Sequence, residues 1–274
     1  MTVTAPTTMH IKVTSTPDEP IYVVSDDMSL CQDIVIDVRD MASAILILDS
    51  CQCNVTISVE DRSSCELIVY NFDKNSLGST DMVFKATLGE SSQFKFLQAS
   101  CGAGVSKSDV QVVFTKPHAL SELRAVSILD GNDSVFVKTH MTHLVGECQG
   151  RQIVKSILNG NSVSEFNGGV YVAKGADLTD SSQSNENLLL SDSARAISQP
   201  QLEIHADDVK AAHGANVGQL DERHVFYLMS RGIPKREAEL FLLQGFILEL
   251  IDSVSNDSVK AYLKNRLVVS GASS

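Results

Sequence analysis

Tryptophan is absent from the 274 residues, and all aromatic residues together make up 5%. A sugar-binding groove needs flat rings to stack on, so that class is disfavoured. Positive charge is also short: 22 Lys and Arg stand against 34 Asp and Glu, a formal charge of −12. A nucleic-acid groove needs a basic stripe. Adsorption to an anionic membrane needs the same. Neither partner is expected. No apolar run is long enough to span a bilayer. Residues 1–8 lack a basic n-region and an apolar h-region, so no secretory signal is expected there. Nothing matches the phosphate loop Gly-x-x-x-x-Gly-Lys-Ser/Thr, and no Gly-x-Gly-x-x-Gly follows a strand pattern. Gly-x-Ser-x-Gly is missing too. The chain is therefore not expected to hydrolyse ATP itself.

What is present is ordinary globular composition, 43% hydrophobic and 20% charged, long enough for a substantial core. The cysteines are Cys31, Cys51, Cys53, Cys65, Cys101 and Cys148, too scattered for a disulfide scaffold. Without a secretion signal they read as reduced thiols of a cytoplasmic protein.

From residue 11 to about residue 200 the chain reads as short strands. Residues 34–38, 44–48, 55–59, 66–70, 82–86, 94–97, 110–114, 124–128, 134–137, 153–157, 165–167 and 169–172 are β-branched or alternating. Gly, Asn, Asp and Ser clusters separate them, at 61–64, 71–80, 89–92, 130–133 and 159–162. Strands of four or five residues recurring every ~10 residues, with no helical period between, suit a sandwich, a barrel or a β-solenoid. The solenoid is preferred because Pro is scarce, 6 in all, and Asn and Ser turns recur. No strict repeat is visible.

The period becomes helical at Asp221, which can cap a helix carrying Val225, Leu228 and Met229. Gly232 ends it and Pro234 suits the first turn of the next, which runs to about Ile251. A third helix starts near Asn256 or Asp257, with Lys264 and Arg266 toward its end as the helix dipole favours. Apolar residues from Phe241 to Ile251 exceed one buried stripe, so this tail either packs deeply on the β part or offers a groove. The division expected is a β core over 1–218 and a helical subdomain over 219–274.

Cys51 and Cys53 would share one face of a strand and could pinch a soft metal, but no second pair completes a closed site. His140 and His143 on a strand face opposite sides and read as structural or solvent-facing. Asp207 and Asp208 are a ligand pair or a turn. His213 stands beside Gly214: a neutral imidazole suits iron and zinc, and a glycine lets a ligand or partner chain approach.

Several uncommon words then fall in one order: residues 147–152, 166–168, 179–180, Gln183, 187–190, 202–210, 213–215, Gly218 and 226–233. Over residues 139–249 the chain resembles the SufB/SufD family of iron–sulfur cluster assembly scaffold proteins. The resemblance implies a right-handed parallel β-helix core followed by a small α-helical subdomain. It implies pairing of the β-helix with a second SufB/SufD-type subunit, as homodimer or heterodimer. It also implies docking of a SufC-type ATPase on the tail, and a sulfur donor system. The cluster would be transient, built at the subunit interface, with nothing permanently bound. The protein would be a scaffold and not an enzyme.

The family's His of a Cys-Ser-His-Gly-Ala-Thr motif falls on His213, the candidate cluster ligand and metal-binding residue. Gly214 makes the motif SufD-like, whereas Ala211 and Ala212 replace its Cys and Ser. Cys148 is the cysteine nearest the recognised words and a candidate replacement. Partner contact is expected at Phe226, Tyr227, Arg231, Phe241, Leu242 and Phe246. The chain resembles a short form without the family's N-terminal helical domain. Two readings compete: a structural paralogue that holds no cluster, and a β-helix carbohydrate-active enzyme using Asp207 and Asp208 with a cation.

Overall fold

A computed structural model describes residues 7–23, 31–49, 53–72, 79–102 and 104–271. Strands go alternately to two parallel sheets. One holds, in spatial order, β1 (Thr7–Val13), β3 (Cys31–Val38), β5 (Asn54–Val59), β7 (Ser79–Leu88), β9 (Val105–Phe114), β11 (Ser134–His143), β13 (Val163–Val172) and β15 (Arg195–Ile204). The other holds β2 (Ile21–Val23), β4 (Ser43–Asp49), β6 (Ser64–Asn71), β8 (Gln93–Cys101), β10 (Leu120–Leu129), β12 (Gln149–Leu158), β14 (Thr179–Leu189) and β16 (Val209–Gly218). This is the solenoid that spacing preferred over a sandwich or a barrel, with the parallel strands that the resemblance implied. Three helices follow: α1 (Glu222–Ser230), α2 (Lys235–Asp252) and α3 (Asp257–Gly271).

The repeat that no motif revealed is geometric. Side chains 29 residues apart meet on adjacent coils: Lys138 with Asp109, Arg151 with Asp180, Asn159 with Asp130 and Asn161 with Asn132. Each coil holds two strands, and the longer ones run ten or eleven residues rather than four or five. Runs 165–167 and 169–172 are a single strand, β13. Many corners hold a residue at positive φ. Gly131 and Gly160, both at φ 63, fill that place on one side of the solenoid, where a missing Cβ removes the strain.

Alternation dictates what enters the solenoid. In β9 and β11 every second residue is buried, so one face lines the interior and the other stays at the surface. Early coils fill the interior with Ile34, Ile57, Leu67, Phe84 and Phe96. Late coils fill it with polar groups: Thr179, Ser181, Gln183, Asn185 and Asn187 are the buried residues of β14. Strand β14 therefore carries no hydrophobic period and escapes a sequence reading.

Alternation stops in the second halves of β6, β8, β10 and β12, where both faces are buried. There the tail covers the sheet. Ile247, Leu250, Ile251, Val254, Val259, Leu263 and Leu267 pack on Ile47, Ile68, Leu97, Val126 and Ile157. Burying each such side chain is worth ~1.5–3 kcal/mol before entropy. The glutamate of β6 adds a polar anchor, since Glu66 accepts from the Ser255 backbone N–H at 3.2 Å. Strand residues end at Gly218 and helical ones begin at Glu222, yet the two parts share this core.

Candidate functional site

The last coil is uncovered. Among the described residues β15 pairs only with β13, and β16 only with β14, so each leaves one edge unpaired there. Nearly all residues of both strands are at least partly exposed. His213 lies in the middle of β16, in register with Gln183 of β14, which is itself in register with Gln152 of β12. The buried alternates of β14 place this column on the interior side, so His213 tops it and is exposed at the open end. Ala211, in register with Ser181, occupies the neighbouring interior column. Gly214 leaves open space above its backbone.

The amides under His213 bridge the two sheets. Gln152 donates through Nε2 to the Gly169 carbonyl at 3.0 Å, and its Oε1 accepts from the Thr139 hydroxyl. One coil higher, Gln183 Nε2 donates to the Gln201 carbonyl at 3.5 Å. Gly169 and Gln201 are themselves in register, so the second amide repeats the first.

Other candidates go elsewhere. Cys148 is fully buried at a corner, its thiol against the backbone carbonyls of Lys116 and Gly146, and burial raises its pKa. It lies two strand spacings and four residues from His213, roughly 16 Å. The structure does not bring the two together. Cys51 lies outside the described residues, so the Cys51–Cys53 pair has no structural outcome; Cys53 is buried. His140 and His143 do face opposite sides, His140 exposed and His143 buried. Asp207 and Asp208 sit in the bend between β15 and β16, where the Asp208 carbonyl accepts from the Leu178 N–H. Among the described residues no group of three His, Cys, Asp or Glu is placed to hold a metal ion. Three ligands are not available to His213 from this chain's described part.

The tail offers the second feature. Asp221 caps α1, accepting from the Arg223 N–H at 2.9 Å. The Arg223 side chain adds to this and holds the Asp221 carboxyl at a pKa of about 2. A groove of about 570 Å³ separates α1 and the first half of α2 from the end of β14, lined by Leu189, Leu190, Phe226, Met229 and Leu243 among others. Phe226 lines it. Phe226, Tyr227 and Phe241 are 72%, 57% and 54% exposed. Arg231 lies over the Tyr227 ring at 5.4 Å, and Leu242 is half-buried.

Phe246 instead turns inward, its ring 5.0 Å from Lys155 Nζ. That lysine went unread in the sequence. It is buried beneath α2, 2.8 Å from Glu249 and 3.6 Å from Glu186. The available signal was a lone cation inside 153–158, a run that otherwise reads as core.

These features define a parallel β-solenoid protein with an open end coil and a helical tail fastened to one sheet. The chain belongs to the SufBD core family: residues 22–246 match the family model described as SUF system FeS cluster assembly, SufBD core domain. It is 32% identical over 166 residues to the iron–sulfur cluster assembly protein SufD of Escherichia coli, covering 61% of this chain and 39% of that one. It is 33% identical over 178 residues to a SufBD family protein of Synechocystis, covering 64% and 39%. Against SufD of Bacillus subtilis it is 26% identical over 259 residues, covering 90% and 59%. The chain thus spans less than two thirds of the length of these curated relatives. No helix among the described residues is long and apolar enough to cross a membrane.

Proposed function

We propose that this protein is a non-enzymatic scaffold subunit of a Suf-type complex, working in the cytoplasm. Its open end coil pairs with a second SufB/SufD-type subunit, and the seam between them receives the iron and sulfide of a nascent cluster as cargo. His213 is this subunit's ligand to that cluster. Carrying this reading is the position of His213: an exposed imidazole on the unpaired edge strand of a family member. An unpaired parallel edge is a ready template for another chain. Because Ala211 contributes no thiolate, the remaining ligands come from the partner subunit or the sulfur donor system. The α1–α2 groove, lined by Phe226, docks a SufC-type ATPase together with the exposed Tyr227, Arg231 and Phe241 of the same two helices and their connection. An apolar groove rimmed by charge suits a protein partner.

Anaerobic reconstitution with the partner subunit, the ATPase and a sulfur donor tests this. His213→Ala is expected to lower iron and sulfide loading while complex formation survives. Equal loading in the variant overturns the ligand role. Phe226→Ala with Phe241→Ala is expected to weaken ATPase capture, and unchanged capture overturns the docking assignment. A paralogue that holds no cluster is favoured by Ala211 alone; it predicts assembly of the complex with no visible absorption on this side.

A further inference from the structure

The amide column beneath His213 ends on an unused acceptor. Gln152 has a partner at each end of its amide: its Nε2 donates to Gly169 and its Oε1 accepts from Thr139. Gln183 repeats the donor half of that pattern toward Gln201. It lacks the other half, because the residue in register with Thr139 on the next coil is Gly168, which has no hydroxyl. Gly168 is required there, since a Cβ would meet the Phe166 ring at 2.4 Å. Gln183 Oε1 is therefore buried without a hydrogen-bond partner among the described residues. The residue is 3% exposed. Buried amide oxygens are rarely left so.

The next group up the column is the imidazole of His213, in register and one strand step away. Strands in register stand about 4.8 Å apart, and a side-chain hydrogen bond of 2.7–3.2 Å fits between stacked neighbours. The atom of Gln183 left buried without a partner is its acceptor, so the unmet need is for an N–H, which the imidazole can supply. We infer that Gln183 is a positioning residue for His213: its Oε1 accepts from one ring N–H, fixes the tautomer, and leaves the opposite nitrogen's lone pair for a ligand at the open end. Histidine ligands are commonly held this way by a carbonyl or carboxylate behind the ring. The choice of Gly at 168 and Gln at 183 thus acts together, one withdrawing a donor so that the other can serve the last coil. The hydrogen bond is the inferred element, since Gln183 Oε1 has no partner among the described residues; its purpose rests in addition on the reading of His213 as a ligand.

The test is the two-bond proton–nitrogen spectrum of the histidine rings in the 15N-labelled full chain, at a pH where imidazoles are neutral. His213→Gln identifies the signals. In the wild type, His213 is expected to show two well-separated ring-nitrogen shifts, one N–H and one bare. In Gln183→Leu these are expected to collapse toward their mean as both tautomers interchange. Gln183→Glu keeps an acceptor and is expected to restore the separation. A urea melt of each variant confirms that it is folded. Identical His213 shifts in folded wild type and Gln183→Leu overturn the proposal. If the shifts change as expected while His213→Ala still loads iron and sulfide normally, the positioning stands and the ligand role falls.

Discussion

Lys155 and Glu249 meet at 2.8 Å, joining β12 to α2 across 94 residues of chain. Their burial is lopsided: the lysine side chain is 7% exposed and the glutamate 74%. Removing the lysine leaves a carboxylate in water, whereas removing both carboxylates, Glu249 and Glu186, strands a buried ammonium. Lys155→Met is therefore expected to change stability by less than ~1 kcal/mol, and Glu249→Gln with Glu186→Gln to cost about 2–4 kcal/mol. Urea midpoints of the two variants decide it. The lysine also holds the Glu249 carboxyl below its ordinary pKa. Its contribution is thus complete above the ordinary carboxylate range and is lost as pH falls through the lowered value.

His143 gives the second pH effect. Its ring lies flat on Phe114, centroids 4.1 Å apart, and neither ring nitrogen has a partner among the described residues. Burial pulls its pKa from 6.5 to about 4. Between those values the unfolded chain binds a proton that the folded one refuses, so stability falls as pH drops through that window. The loss reaches about 3 kcal/mol. His143→Leu is expected to lack this limb; a wild-type slope retained in the variant contradicts the assignment.

The thiols should be inert. Burial pushes Cys65 to a pKa of about 12 and raises Cys148. Only thiolate reacts quickly with alkylating reagents. Native protein at pH 8 is expected to leave both unlabelled by iodoacetamide, and denatured protein to label both. Fast native labelling of Cys148 would reopen it as a sulfur acceptor.

Gly168→Ala places a methyl against Phe166, so the ring must move inside a packed column. The expected destabilisation is about 1–3 kcal/mol. Phe166→Leu in the same chain is expected to relieve part of it, which urea midpoints of both single variants and the double can read. Additive losses would place the strain elsewhere.

The solenoid and its tail were legible because physical chemistry wrote them locally. Short β-branched runs between Asn, Gly and Ser turns exclude helices, and Asp221, Gly232 and Pro234 punctuate the tail. The coil repeat was not legible, since it resides in register and in corner geometry: Arg62, Ser91, His118, Glu147 and Leu178 share a positive φ without sharing a side-chain type. Strand β16 was invisible for a related reason. Its interior positions hold Val209, Ala211, His213, Ala215 and Val217, where two alanines and a histidine between the valines make the apolar period too faint to read. Residue logic marked His213 beside Gly214 as a hint, and only the resemblance gave it the role of a cluster ligand. Lys155 was missed because a cation within core sequence looks like noise until its acids arrive from β14 and α2.

Coil stacking also makes the molecule a ruler graduated in whole strands. The clasp at Lys155 on β12 stands two strand steps from the edge at β16, roughly 10 Å. Residues added at a corner leave that distance untouched. A whole coil inserted between β12 and β14 would lengthen it by one graduation, about 4.8 Å, and nothing smaller is available to the fold. The separation between what is fastened to the tail and what is presented at the end is therefore quantised, and insensitive to the drift of surface loops.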